Sequence, residues 1–180
     1  MKAFFYGIIF TVFVIFAAGF LFIKRGYIRI EADQQPSAFE KKIAMSAVDA
    51  SVDRHAPDRK NSVQPTDENL VEGAKIYLNH CAGCHGLPSN PDTQFGHSFN
   101  PPVPQFFKET PDMPDNQNFY ITQHGIRFTG MPAWSKTLSE QQIWTVVAFL
   151  SRIEKLPPGA LKVLEPPAPP PGVVAAPPIR

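Results

Sequence analysis

The hydrophobic and polar positions divide the chain into four segments. Residues 4–23 are almost wholly apolar and carry no charge, and a helix of that length is about 30 Å long, which matches the hydrocarbon thickness of a bilayer. Further along, two stretches repeat apolar residues at helical spacing. A polar segment precedes them, and prolines crowd the end of the chain. We predict a transmembrane signal anchor over 1–25, a polar stalk over 26–65, a globular domain over 66–156 and a Pro-rich tail over 157–180.

The two helical stretches of the globular domain each begin with a capping residue. Thr66 is followed by an acidic first turn, and Ser139 precedes the second stretch, so both are expected N-caps. The sequence therefore predicts one helix over 66–80 and another over 139–154. The apolar stripes are Leu70, Ala74, Tyr77 and Leu78 in the first helix, and Ile143, Trp144, Val146, Val147 and Leu150 in the second.

The N-terminal apolar segment has two interpretations. Its length indicates an uncleaved anchor, because the apolar run continues through residues 20–23 and exceeds a typical signal-peptide core. The small residues 17–19 offer a cleavage site, which would instead make the segment a removable signal peptide. We prefer the anchor. The charges Lys24, Arg25 and Arg29 follow the run, and the positive-inside rule alone would place the C-terminal side in the cytoplasm.

The stalk and the tail carry few signals of tertiary structure. Residues 37–48 fit a short amphipathic helix, which is either transient in a spacer or a docking segment for a partner. Residues 54–57 and 63–65 are expected to be extended, since proline disfavours helix at the residue before it. Nine prolines lie between residues 156 and 180. Such a tail is expected to form polyproline II or disordered chain and to build no core.

Charge and cysteine content narrow the function. The net charge is +1, so the total charge does not indicate binding to nucleic acid. Residues 24–65 hold eight basic and six acidic side chains, whereas residues 66–156 hold six and nine, which predicts a basic stalk before an acidic globule. Two cysteines are too few for a disulfide framework or a Cys-only zinc site.

The two cysteines lie in one motif, Cys81-Ala82-Gly83-Cys84-His85. This is the C-x-x-C-H pattern of haem attachment, in which both thiols bond one edge of the porphyrin and the histidine is an axial ligand of the iron. A thioredoxin-like redox pair would need a βαβ context, and a zinc site would need a second ligand pair. The motif therefore predicts one covalently attached haem c.

The second axial ligand is expected to be Met131. It lies 46 residues after His85, between a glycine that permits close approach and a proline that fixes the loop. Met113, His97 and His124 are the alternatives. His/Met ligation fills both axial positions and favours electron transfer over catalysis. Apolar candidates for the wall of the haem pocket, or for plain core, are Phe99, Val103, Phe106, Phe107, Phe119, Ile121, Phe128, Trp134 and Leu138.

Over residues 66–156 these features resemble a class I cytochrome c domain. The resemblance implies an all-α, cytochrome c-like fold around one covalently bound haem, preceded here by the transmembrane helix. It implies that Gly73 and Tyr77 lie where the first helix crosses the last. It also implies a proline carbonyl that orients the axial imidazole and an aromatic or basic side chain that reaches a propionate. The implied cofactor-binding residues are Cys81, Cys84, His85, Met131, Trp134, Arg127, Pro101 and Pro102.

The resemblance and the anchor together predict electron transfer on the periplasmic face of a bacterial inner membrane. Haem is attached outside the membrane in bacteria, which overrules the charges that follow the anchor. The leading hypothesis is a relay from a quinol-oxidising complex or dehydrogenase to an oxidase or another cytochrome. The alternative is a fixed haem c subunit of a larger respiratory or dehydrogenase complex. A haem enzyme or gas sensor would need a displaceable distal ligand. Expected partners are redox proteins in or on the same membrane, with no nucleic acid and no small-molecule substrate.

Overall fold

A computed structural model describes residues 2–34 and 36–165 of the chain. Its eight α-helices are α1 Lys2–Lys24, α2 Ala38–His55, α3 Asp67–His80, α4 Ala82–His85, α5 Gln94–His97, α6 Asp115–His124, α7 Glu140–Leu150 and α8 Pro158–Leu164. Two 3-10 turns lie between these helices, at Trp134–Lys136 before α7 and at Ile153–Lys155 before α8. This described part contains no strand, which confirms the all-α prediction. The chain divides after residue 34 into two compact units.

Helix α1 makes up most of the first unit. It has 23 residues, no buried side chain and no charge between its terminal lysines. Among the described residues it is the one helix that is long and apolar enough to cross a membrane. It therefore fits a single-pass anchor by length and composition, although a signal sequence has the same properties.

In the second unit, the N-termini of α3 and α7 are capped as predicted. The Thr66 side chain accepts a hydrogen bond from the Asn69 N–H, and the Ser139 side chain accepts one from the Gln142 N–H. The Gln142 side chain in turn accepts from the backbone N–H of Ser139, which completes a capping box. Hydrogen bonds between residues three positions apart thus determine where α3 and α7 begin.

Helices α3 and α7 cross at Gly73, as the resemblance implied. A Cβ atom at Gly73 would lie 2.6 Å from the Cβ atom of Phe149 and 2.8 Å from the backbone oxygen of Thr145. These distances are far below ordinary contact, so only glycine permits the two backbones to approach this closely. Tyr77, one turn later, is fully buried against the ring of Phe149.

Aromatic stacking joins α6 to α7. The rings of Phe119 and Trp144 lie 3.9 Å apart and nearly parallel, and both side chains are almost fully buried. Leu78 of α3, predicted to lie on the apolar stripe, is instead 38% exposed, while Ile76 is buried. The other buried hydrophobic residues of this core are Val63, Leu70, Ala74, Ala82, Leu138, Ile143, Val146, Val147, Ala148, Leu150, Ile153, Ala160 and Leu164.

The start of the predicted Pro-rich tail is part of this core. Residues 158–164 form α8, which packs on α3 with Ala160 and Leu164 buried. The prediction that the tail builds no core is therefore wrong for its first nine residues. Pro158 lies at the first helical position, where its missing N–H costs nothing, and no proline follows inside the helix. The rest of the tail, 166–180, lies outside the described residues.

The end of the predicted stalk also belongs to the second unit. Helix α2 continues to His55, beyond the predicted helix over 37–48 and into the segment 54–57 that was expected to be extended. Pro57 disfavours helix only at the residue before it, so Ala56 alone is extended, with ψ 135°. Val52 and Val63 are buried, in contrast to the spacer that the sequence predicted.

Polar contacts hold the docked part of the stalk on the core. The Asn61 side chain donates to the Asp115 carboxylate at 3.2 Å and to the Trp144 carbonyl at 3.1 Å. The Arg59 guanidinium pairs with Glu140 at 2.8 Å and lies over the ring of Trp144. Residues up to about 51 are thus the exposed part of the stalk.

Candidate functional site

The C-x-x-C-H motif forms a single helical turn at the end of α3. Cys81 ends α3 and begins α4, so Cys84 lies one turn further along the same helix surface. His85 is the last residue of α4, and Gly86, at φ 89°, redirects the chain. Both cysteine side chains are partly exposed. The turn thus presents two thiols and an imidazole on adjacent positions, as haem attachment requires.

Burial shifts the pKa of each of these three side chains. Burial, with a smaller contribution from Cys84, raises the pKa of the Cys81 thiol to about 12. Burial also raises the pKa of Cys84 and lowers the pKa of His85. The His85 Nδ1 atom lies 2.9 Å from the Pro104 carbonyl oxygen. Because a carbonyl only accepts, Nδ1 carries the hydrogen, and Nε2 of the neutral ring keeps a lone pair for a metal.

The proline that accepts from His85 is Pro104, not Pro101 or Pro102 as expected. All three prolines are exposed, so burial does not distinguish them. The chain turns back only after Pro102, where the Val103 N–H donates to the Gly96 carbonyl at 3.0 Å, and this turn brings the next carbonyl to the imidazole. The sequence held no signal to distinguish the three prolines.

Phe106 covers the face of the His85 ring. The two rings are nearly parallel with centroids 4.3 Å apart, and the Phe106 N–H donates to the His85 carbonyl at 3.0 Å. His85 is therefore held through both its side chain and its backbone by residues 104–106. Such contacts fix the orientation of a metal-binding imidazole.

Met131 lies in a tightly closed loop after α6. Gly125, at φ 67°, ends that helix. The Ile126 N–H then donates to the Met131 carbonyl at 3.1 Å, and the Met131 N–H donates to the Thr129 hydroxyl at 3.1 Å. The Met131 side chain is half-buried. The loop thus fixes the backbone of the predicted distal ligand.

The Met131 loop contacts the chain on both sides of the C-x-x-C-H motif. Gly130 lies against the ring of Phe99, since a Cβ atom there would overlap that ring. Trp134 lies half-buried with its ring 5.1 Å from that of His80, the residue before the motif. The structure therefore brings the two segments that carry the predicted ligands into one neighbourhood. Two thiols and an imidazole whose Nε2 keeps its lone pair are a donor set that fits a covalently bound haem.

The remaining predicted site residues and alternative ligands are exposed or half-buried. Arg127 is exposed on the Met131 loop, and Phe128 beside it is 95% exposed at φ 63°. His97 pairs with Asp92 at the surface, and His124 ends α6. Met113, half-buried, precedes α6, and its carbonyl accepts from the Asn118 side chain at 2.8 Å.

Residues 68–150 match a family model described as cytochrome c oxidase, cbb3-type, subunit III. A comparison with curated proteins gives no match for the chain. The matched range runs from the first turn of α3 to the end of α7 and includes the motif turn and the Met131 loop. Helices α1, α2 and α8 lie outside it.

Proposed function

Because residues 68–150 are a class I c-type cytochrome domain, which binds haem c covalently and serves electron transfer, we propose that this protein relays single electrons through one haem c with its iron between His85 and Met131. Cys81 and Cys84 would attach the haem, which supplies a one-electron redox centre when bound. The observation that carries the proposal is the hydrogen bond from His85 Nδ1 to the Pro104 carbonyl, which leaves Nε2 for iron.

Met131 is the distal ligand that the loop geometry supports best. Its backbone is held on both sides, and its loop contacts the chain before and after the motif. Thioether ligation opposite histidine raises the reduction potential and leaves no axial position for an external ligand. The protein would then exchange electrons with partner proteins and bind no substrate at the iron.

Replacing Met131 tests the axial assignment. In Met131→Ala, we expect a changed ferric absorption spectrum, a lower reduction potential and carbon monoxide binding to the ferrous form. Met113→Ala is the matched control, because Met113 is also followed by proline, and it should leave all three properties unchanged. If Met131→Ala keeps the parent spectrum and potential, Met131 is not the ligand.

Membrane attachment through α1 completes the proposal, with the haem domain on the periplasmic face of a bacterial inner membrane. Between the end of α1 and the start of α2 lie thirteen residues, 25–37, with an extended reach of about 45 Å. The docking of residues 52–65 on the cytochrome domain leaves only residues 26–51 of the stalk outside its packed core. A short tether suits electron transfer to partners on the same membrane.

A second candidate is a fixed haem c subunit of a membrane oxidase complex. The matched family, which is described as a subunit of a cytochrome c oxidase, favours it. Solubilisation in mild detergent followed by native electrophoresis would separate the candidates. A fixed subunit migrates with a larger complex that has oxidase activity, whereas a relay migrates alone.

For a relay, the acidic composition of the cytochrome domain also predicts electron-transfer rates that fall as the salt concentration rises. Rates that do not depend on salt would rule out electrostatic attraction to the partner.

A further inference from the structure

Gln105 lies between the two residues that hold the His85 ring. Pro104 accepts from His85 Nδ1, and Phe106 stacks on the imidazole. The side chain of Gln105 points the other way and is only 7% exposed. A buried amide in a Pro-rich loop needs partners for all of its hydrogen-bonding positions.

Those partners link the loop to the residue before His85. Gln105 Nε2 donates to the carbonyls of Cys84 and Val103, both at 2.9 Å. Its Oε1 accepts from the backbone N–H of Thr93 at 2.8 Å and from the Thr93 hydroxyl at 3.1 Å. The Thr93 hydroxyl also lies 3.0 Å from the Cys84 carbonyl, so its single hydrogen is shared between that carbonyl and Gln105 Oε1.

Helix α5 closes this amide cluster against solvent. A Cβ atom at Gly96 would lie 2.4 Å from Gln105 Nε2 and 2.5 Å from the Cys84 oxygen, so the backbone of α5 lies directly against the cluster. Thr93 and Gly96 are buried. Among the described residues, no buried side-chain polar atom lacks a partner. The Gln105 amide therefore has one available arrangement, and it fixes residues 104–106 relative to the motif turn.

We propose that Gln105 is a positioning residue for the axial imidazole: its buried amide ties the loop to the Cys84 carbonyl and thereby holds the Pro104 oxygen on His85 Nδ1. The proposal rests on the proposed function, because it takes His85 as the iron ligand. A strong hydrogen bond at Nδ1 makes the imidazole a better donor and stabilises the oxidised iron centre. Loosening the amide cluster weakens that bond and raises the reduction potential.

Gln105→Met tests the proposal in the haem-loaded full-length protein, since methionine keeps the length of the side chain and removes the amide. We expect the His85 Nδ1 hydrogen, followed by NMR, to exchange with solvent about tenfold faster. At a fixed applied potential, the ratio of reduced to oxidised protein should rise about tenfold, equivalent to roughly 59 mV for a one-electron couple.

Thr145→Val is the matched control for a purely structural role. Thr145 is equally buried, and its hydroxyl donates to the Gln141 carbonyl at 2.8 Å inside α7. This variant should lose stability without changing either readout. If Gln105→Met changes only stability, as Thr145→Val does, the positioning role is overturned.

A second variant decides the matter if Gln105→Met does not take up haem. Thr93→Val removes the hydroxyl from the cluster and leaves the Gln105 amide, so both readouts should change in the same direction by less. Unchanged readouts in Thr93→Val overturn the proposal. If His85→Ala leaves the iron coordination of the parent intact, the proposed function fails instead, which is a distinct result.

Discussion

Gly73→Ala should separate α3 from α7 and destabilise the cytochrome domain. The added methyl carbon would lie 2.6 Å from the Cβ atom of Phe149 and 2.8 Å from the backbone oxygen of Thr145, whereas carbon atoms in contact prefer about 3.5–4.0 Å. Neither atom is the end of a flexible side chain, so the helices must move apart by about 1 Å, which we take from that difference.

The magnitude follows from two opposing effects. Forcing a methyl group into a packed core costs about 1–3 kcal/mol, and the rigid contacts place Gly73 at the upper end of that range. Alanine regains about 1 kcal/mol of helix propensity over glycine. The net loss is about 2 kcal/mol, or a fall in Tm of about 10 °C for a domain of this size.

Denaturant and thermal unfolding of the haem-loaded protein in detergent, followed by circular dichroism, would measure this loss. Gly83→Ala is the matched control, because Gly83 is also helical but has no atom within 4 Å of an added Cβ. It should leave Tm unchanged or slightly raised. If Gly73→Ala is as stable as Gly83→Ala, the two helices do not meet as described.

Three further predictions concern the core, the docked stalk and the surface. Phe119→Ala should cost about 3–5 kcal/mol in denaturant unfolding, because it empties a buried ring site; a loss below about 1 kcal/mol would contradict the packing. Asn61→Ala removes the bond to Asp115 and should speed protease cleavage between residues 57 and 65 without altering the haem spectrum. The Lys108 hydrogen bond lowers the pKa of the Asp92 carboxyl, so this stabilisation is present above about pH 4 and lost as pH falls through the lowered pKa. Asp92→Asn should therefore reduce stability slightly at neutral pH, with the difference from the parent vanishing in acid.

The docked stalk changes how the tether should be understood. The sequence predicted a free spacer up to residue 65, yet the side chains of Val52 and Val63 are buried and Arg59 pairs with Glu140. The part of the stalk that does not pack on the cytochrome domain is therefore shorter than its sequence indicates. Under the proposed membrane attachment, this shorter tether would restrict the volume that the haem domain can reach.

The sequence by itself determined the features that depend on neighbouring residues. The motif turn, the caps at Thr66 and Ser139 and the apolar stripes of α3 and α7 all rest on interactions within about one helical turn. The glycine at the helix crossing also had a sequence signal, although only through resemblance. The motif was sufficient to predict the class of cofactor, and the resemblance that these features carry implied the all-α fold.

Only the tertiary structure decided which distant residues meet. Asn61 bonds to the Trp144 carbonyl 83 positions away, and Gln105 bonds to the Cys84 carbonyl 21 positions away. Neither residue type nor spacing distinguishes such partners, because a polar side chain in a proline-rich segment is usually solvated. Selecting Pro104 instead of Pro101 required the turn after Pro102 and the buried amide cluster beside it. The hydrogen-bond partners of Asn61 and Gln105 become fixed only when the helices pack and exclude water.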